Sequence, residues 1–298
     1  MPTPQPKPSK VVHEIVDPRW IISALAAMLA LCVLCAYIAV CALFYRGQWQ
    51  LVLQPSRTVS QTPTSIGLPF TEVHFGVDAT GQPQLDGWWI PADSLSSPTA
   101  LILHSGNGSI SDALSDARLL HDAQLNLLLF DYRGFGHSGG QHPTQQLMQA
   151  DAESALRYLT EIRTIPTSQI VVFASDAGAS LAVQLCATHK DIPALILEAP
   201  DGDFASRVRH DPRSRMAPVS LLFNQNFPLA DPLHTLPTPK LLISYTSGNT
   251  PINLQQAADP RMTVELKSPA DTAALHNAIR RFLDTYLTQP PATLSPTH

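Results

Sequence analysis

The run Ile170-Val171-Val172-Phe173-Ala174-Ser175 breaks off at Asp176-Ala177-Gly178-Ala179-Ser180. Leu181, Ala182, Val183, Leu185 and Ala187 then follow at helical spacing. β-Branched and aromatic residues in a short apolar run mark a buried strand, the small residues a sharp turn, and the 3.6-residue period a helix. A strand that passes so directly into a helix belongs to a parallel sheet. The turn lifts one side chain, that of Asp176, clear of the sheet's C-terminal edge and beside a helix N-terminus. Ligands of such sheets bind beyond that edge.

The remaining segments supply partners for this strand. Residues 70–77 alternate as a strand, and 85–90 read as its antiparallel partner across the turn region 78–83. Apolar strands are expected at 100–104, 125–130, 194–198 and 240–245, with a short last one at 262–266. Helices are expected at 110–121, 144–162 and 272–287. Strands alternating with helices define an α/β chain with a mostly parallel sheet and helices on both faces. Residues 200–239 are irregular and read as a short lid over the site. Their Val219, Leu221, Leu222 and Phe223 either meet a small hydrophobic ligand or pack down on the sheet.

Residues 1–19 hold five prolines and cannot build a core, so a disordered stretch is expected there. Residues 20–45 carry no charge and exceed the roughly 20 residues that cross a bilayer. A signal peptide would have an apolar region of only about 7–15 residues, ending at a small-residue cleavage site. Here apolar residues continue past Ala36 and Ala39, which favours an uncleaved, single-pass transmembrane anchor with the membrane as partner. Lys7, Lys10 and Arg19 before the span, against Arg46 just after it, weakly place the folded part on the non-cytoplasmic side. Residues 46–69 are expected as a linker, 70–287 as the folded domain and 288–298 as a frayed tail. A net charge of −5 gives no electrostatic footprint for nucleic acid. Cys32, Cys35 and Cys41 fall in the apolar span and Cys186 on the helix after Gly178, so they read as packing residues. With no dinucleotide glycine motif either, neither a cofactor nor a metal is expected.

The loops after the strands carry motifs. Asp131-Tyr132-Arg133-Gly134-Phe135-Gly136-His137-Ser138-Gly139 follows one, and Ser105-Gly106-Asn107-Gly108 another. Ala174-Ser175-Asp176-Ala177-Gly178 stands where a nucleophile elbow, G-x-S-x-G, would be. Over about residues 70–287 the chain thus resembles the α/β-hydrolase superfamily, in particular membrane-associated serine hydrolases with D-Y-R-G-[YF]-G-x-S and H-G-N-A motifs. Ser105 stands where the second motif has histidine. The resemblance implies an α/β-hydrolase fold and a triad in the chain order nucleophile, acid, histidine. It also implies an oxyanion hole from backbone donors, here at Asn107 and Ala177. Every triad position departs from the pattern: Asp176 replaces serine, Asn249 the acid and Asp271 the histidine.

Two chemistries follow. Three departures together point to a degenerate serine-hydrolase site, non-catalytic or weakly hydrolytic, binding a small hydrophobic or acyl compound. Alternatively, Asp176 is itself the nucleophile on an ester, halide or epoxide, as in dehalogenases and epoxide hydrolases of the superfamily. That route needs a histidine to activate water, and His276 is the best placed, ahead of His104 and His137. Glu198 or Asp201 would then orient it; otherwise Glu198 bonds nearby backbone, and Asp201 and Asp203 are solvated. Ser175 and Ser180 flank the apex and are weak substitutes, because the turn exposes only its apex. A third arrangement would set Asp176 against Asp271, sharing a proton or, with Asn249, holding a cation.

Overall fold

The computed structural model describes residues 18–94, 96–246 and 254–287. In chain order the elements are helix α1 (Pro18–Gly47), strands β1 (Gln54–Pro55), β2 (Thr71–Val77), β3 (Pro83–Ile90), β4 (Thr99–Leu103) and β5 (Asn107–Gly108), and helix α2 (Leu114–Asp122). Strand β6 (Asn126–Asp131), helix α3 (Gln145–Arg157), strand β7 (Ile170–Ser175), helix α4 (Gly178–Thr188) and strand β8 (Ala194–Glu198) follow. Three short helices, α5 (Ala205–His210), α6 (Val219–Leu222) and α7 (Ala230–Thr235), precede β9 (Lys240–Tyr245), β10 (Arg261–Leu266) and α8 (Thr272–Tyr286).

Among these residues, eight strands form one sheet in the order β10-β9-β8-β7-β4-β6-β3-β2. β2 and β3 pair antiparallel, as does β3 with β6; every other neighbour is parallel. The expected mostly parallel α/β sheet with helices on both faces is therefore what forms. Strand side chains alternate between faces. Leu101, Val172, Leu195 and Leu242 point toward α3 and α4, while Ile102, Phe173, Ile196 and Ile243 point toward α2 and α8. All eight are fully buried, each stabilising the fold by roughly 1.5–3 kcal/mol. Sequence order also sets the helix ends. Thr144 caps α3, its Oγ1 accepting from the Leu147 N–H at 3.2 Å, and Asp271 caps α8 by accepting from the Ala274 N–H at 3.4 Å.

Residues 46–69 are not a linker. Leu53 and Leu68 are 1% and 3% exposed, and β1 pairs in parallel with β5 beside the sheet. Trp49 stacks on His142 at 5.4 Å between ring centroids. Apolar anchors at Leu53 and Leu68, interspersed with polar residues, give no helical or strand period, so periodicity alone does not detect this packing.

Helix α1 is long and apolar enough to cross a membrane, as an anchor or as a signal sequence. Large apolar side chains, among them Trp20, Ile22, Leu29, Val33 and Leu43, stand exposed along it. A helix that is apolar all round matches a hydrocarbon environment and not a soluble core edge.

Candidate functional site

The elbow between β7 and α4 forms as its small residues require. Asp176 sits at φ +50°, in the left-handed region that aspartate tolerates better than most residues. A Cβ on Gly178 would lie 2.3 Å from the Leu103 carbonyl oxygen, so glycine is needed for the helix to start this close to β4. The turn is held by the Ala179 N–H donating to the Asp176 carbonyl at 3.1 Å, and by the Asp201 N–H donating to the same oxygen at 3.1 Å.

The Asp176 carboxylate does not point freely into solvent. Asn107 Nδ2 donates to its Oδ2 at 3.2 Å, and the nearby Ala177 and Gly106 backbone N–H groups favour its charged form. Burial, and then the nearby Asp201 charge, raise its pKa above the ordinary carboxylate range, while those N–H groups and Arg207 oppose the rise. The side chain thus places a carboxylate beside the backbone groups that an oxyanion hole would use. Ala177 is one of the two donors expected from the sequence. Asn107 is not the other, because its N–H donates to Ser105 Oγ at 3.2 Å and it reaches Asp176 through its side chain. The Gly106 N–H, one residue earlier, is the other backbone group that favours the charged carboxylate.

Asp176 opens onto a cavity of about 250 Å³. Its walls come from three places: Leu51, Val52 and Gln54 after α1, Asn107 of the β5 loop, and Asp201, Phe204, Arg207, Val208 and Asp211 around α5. The segment expected to act as a lid therefore does border the site. Asp201 and Arg207 form an ion pair at 2.7 Å, and the Arg207 guanidinium lies 4.4 Å above the Phe204 ring. Of the apolar lid residues, Val219 is buried, Phe223 packs on the core and Leu221 is 80% exposed; none of them lines the cavity.

No histidine among the described residues lines this cavity. His276 lies in the first turns of α8, where its buried Nε2 makes no hydrogen bond among the described residues. His104 follows β4 directly, one residue ahead of the position expected for the motif histidine. It is buried against Tyr132 and Phe135, with Nδ1 on the Ser105 carbonyl at 2.8 Å. Burial drops its pKa to about 4, while burial lifts Asp131, 3.7 Å away, to about 7. At neutral pH this histidine is uncharged, so the contact is no ion pair. His137 borders a different recess with His74, Asp86 and Asp131.

Asp271 does not face Asp176. It is exposed at the N-terminus of α8 and is spent on the cap, which removes the shared-proton and cation arrangements built on that pair. The carboxylate that Asp176 does feel is Asp201. Asn249 lies outside the described residues. Asp203 is not solvated but accepts from the Ala230 N–H at 2.9 Å. Ser180 is fully buried and donates to the Pro228 carbonyl at 2.8 Å, so it is no nucleophile. Ser175 pairs in register with Glu198 on the sheet.

A second group of acids lies at the same sheet edge, toward α2 and α8. Glu198 accepts from Tyr245 Oη, while its Oε2 is buried without a partner among the described residues. Burial, and then the Glu198 charge, push Asp116 on α2 up to about 8; burial raises Glu198 as well. Sequence reasoning singled out Glu198 but neither Tyr245 nor Asp116. Both sit at regular strand and helix positions and carry no motif that distinguishes them.

A family model described as serine aminopeptidase, S33, matches residues 97–283. An uncharacterized protein of Mycobacterium tuberculosis (strain ATCC 25618 / H37Rv) is 31% identical over 215 residues, covering 67% of this chain and 75% of its own length. Protein bem46 of Schizosaccharomyces pombe is 36% identical over 105 residues, which is 35% of each chain. Among solved structures, the Pyrococcus furiosus esterase Pf2001 superposes with a TM-score of 0.62 at 17% identity, over 79% of this chain and 98% of the esterase. That likeness concerns the fold.

Proposed function

The chain belongs to the serine aminopeptidase S33 family of α/β-hydrolase proteins, and from that premise we propose that its hydrolase site has become a binding site with at most feeble hydrolytic activity. One observation carries this reading: a carboxylate, that of Asp176, stands at the elbow apex beside the Ala177 and Gly106 backbone, with the Asn107 side-chain amide donating to it. An incoming acyl oxyanion would meet a like-charged group there. Loss of triad members costs several powers of ten in rate, leaving only weak catalysis from binding and the remaining donors. The nucleophilic route for Asp176 needs a water-activating histidine, and among the described residues none lines the cavity. The occupant we infer is a small hydrophobic or acyl compound, seated against Leu51, Val52, Phe204 and Val208. In the same reading α1 is an uncleaved, single-pass anchor, and the Lys/Arg bias around it puts the folded part on the non-cytoplasmic side.

The test is turnover of a short-chain acyl ester panel, with haloalkane and epoxide probes, by the full chain in detergent. Asp176→Ala and His276→Ala variants are run beside it. We expect background rates, the same for all three proteins. Turnover that both substitutions abolish would establish an Asp-nucleophile hydrolase and sink the binding-site reading.

A further inference from the structure

The cavity's cap is joined to the end of the apolar helix. Gln48, 3% exposed, donates from Nε2 to the Tyr45 carbonyl at the end of α1 at 3.0 Å and to the Leu222 carbonyl of α6 at 3.2 Å. It also accepts from the Asn224 N–H at 2.7 Å, and α6 packs alongside α1. Only a four-residue 3-10 turn, Gln48–Leu51, separates α1 from Leu51 in the cavity wall. At about 2.0 Å rise per residue that is a separation of roughly 8 Å.

The outer surface of the cap has an uncommon composition. Residues 205–216 contain four arginines, Arg207, Arg209, Arg213 and Arg215, against the single acid Asp211. All four arginines are exposed. Beside them Met216 and Leu221 are 69% and 80% exposed, and apart from α1 only Val77 and Ile162 among the described large apolar residues are comparably bare. Arginines interspersed with exposed apolar side chains match the boundary between anionic headgroups and acyl chains.

We propose that the outer surface of the cap, from α5 to α6, rests on the bilayer that holds α1. Arg209 and Arg215 would meet anionic phospholipid headgroups, Arg213 being paired with Asp211 at 2.7 Å, and Met216 and Leu221 would enter the interface. The inference rests on the reading of α1 as a membrane anchor. It goes beyond that reading by fixing which side of the folded part faces the lipid. The surface is continuous with the anchor, because α6 packs on α1, and its charge is complementary to anionic lipid. The mouth of the Asp176 cavity then opens at the lipid–water boundary, so an amphiphile can reach Leu51 and Val208 without crossing bulk water.

Hydrogen–deuterium exchange on the full chain tests this, in nanodiscs of phosphatidylcholine alone and in nanodiscs that also contain phosphatidylglycerol. We expect amides of residues 205–223 to exchange more slowly with phosphatidylglycerol, by about thirtyfold, the effect of two arginines at an anionic surface. The gain should disappear in Arg209→Glu/Arg215→Glu and shrink in Leu221→Asp, while the exposed apolar control Ile162→Asp keeps it. Equal exchange in both lipids, with α1 still protected, overturns the docking surface and leaves the anchor standing. Unprotected α1 in both lipids overturns the anchor, and the docking surface with it.

Discussion

Asp176 combines a strained backbone position with a crowded carboxylate, and the two can be separated by substitution. Asparagine tolerates the left-handed region nearly as well as aspartate and removes the buried charge; alanine pays roughly 1–2 kcal/mol for the same φ. Thermal unfolding of the full chain in detergent should therefore place Asp176→Asn within about 1 kcal/mol of wild type and Asp176→Ala about 1–2 kcal/mol below it. Equal losses in both would mean that the carboxylate's hydrogen bonds, and not the φ, hold the turn. Asp176 was legible in the sequence because a strand, small residues and a helix in succession leave one apex. The capping role of Asp271 was legible too, because an aspartate directly before an amphipathic run is a helix-cap signal. The Asn107 side-chain contact to Asp176 was not legible, since where a loop side chain points depends on loop geometry that no residue type specifies.

At the scale of elements, the strands and main helices fell close to their expected positions, because fully buried parallel strands read as unbroken apolar runs and the helices keep a 3.6-residue period. The segment after α1 escaped that logic. Its contribution rests on single residues, chiefly Leu53, which packs against the loop carrying Gly106: a Cβ on Gly106 would lie 2.6 Å from Leu53 Cδ2. The Gln54 N–H also donates to the Gly106 carbonyl at 2.9 Å. Truncating a leucine this deeply buried costs about 2–5 kcal/mol. Leu53→Ala should lower the midpoint of thermal unfolding accordingly and speed amide exchange in residues 105–109. A midpoint unchanged from wild type would show that this segment adds nothing to the fold.

For the molecule as a whole, the buried carboxyls set how stability follows pH. Burial lifts Asp116 to about 8, Asp131 to about 7 and Asp151 to about 6, whereas an unfolded aspartate titrates near about 3.9. The folded chain therefore holds more protons than the unfolded one across this interval, and stability falls as pH rises. His104, lowered to about 4, has the opposite sign, but its effect is complete by about pH 6.5, where the unfolded histidine loses its proton. Lys240, lowered to about 8, makes stability rise with pH only above that value. Between about pH 6.5 and 8 the unfolding temperature should decline, and Asp116→Asn should flatten the decline; a rise over that range in wild type would contradict the assignment. The packed stretch between Gly47 and Gln54 has one more consequence, and it concerns proteolysis. Many anchored proteins can be shed by a cut just outside the bilayer, releasing an intact soluble body. Here a cut after Val52 would carry away Leu51 and Val52, a wall of the Asp176 cavity, and would part Gln48 from the cap. Were α1 an anchor, the released body would keep its site only if the cut fell before Gln48, so a few residues decide whether shedding leaves it whole.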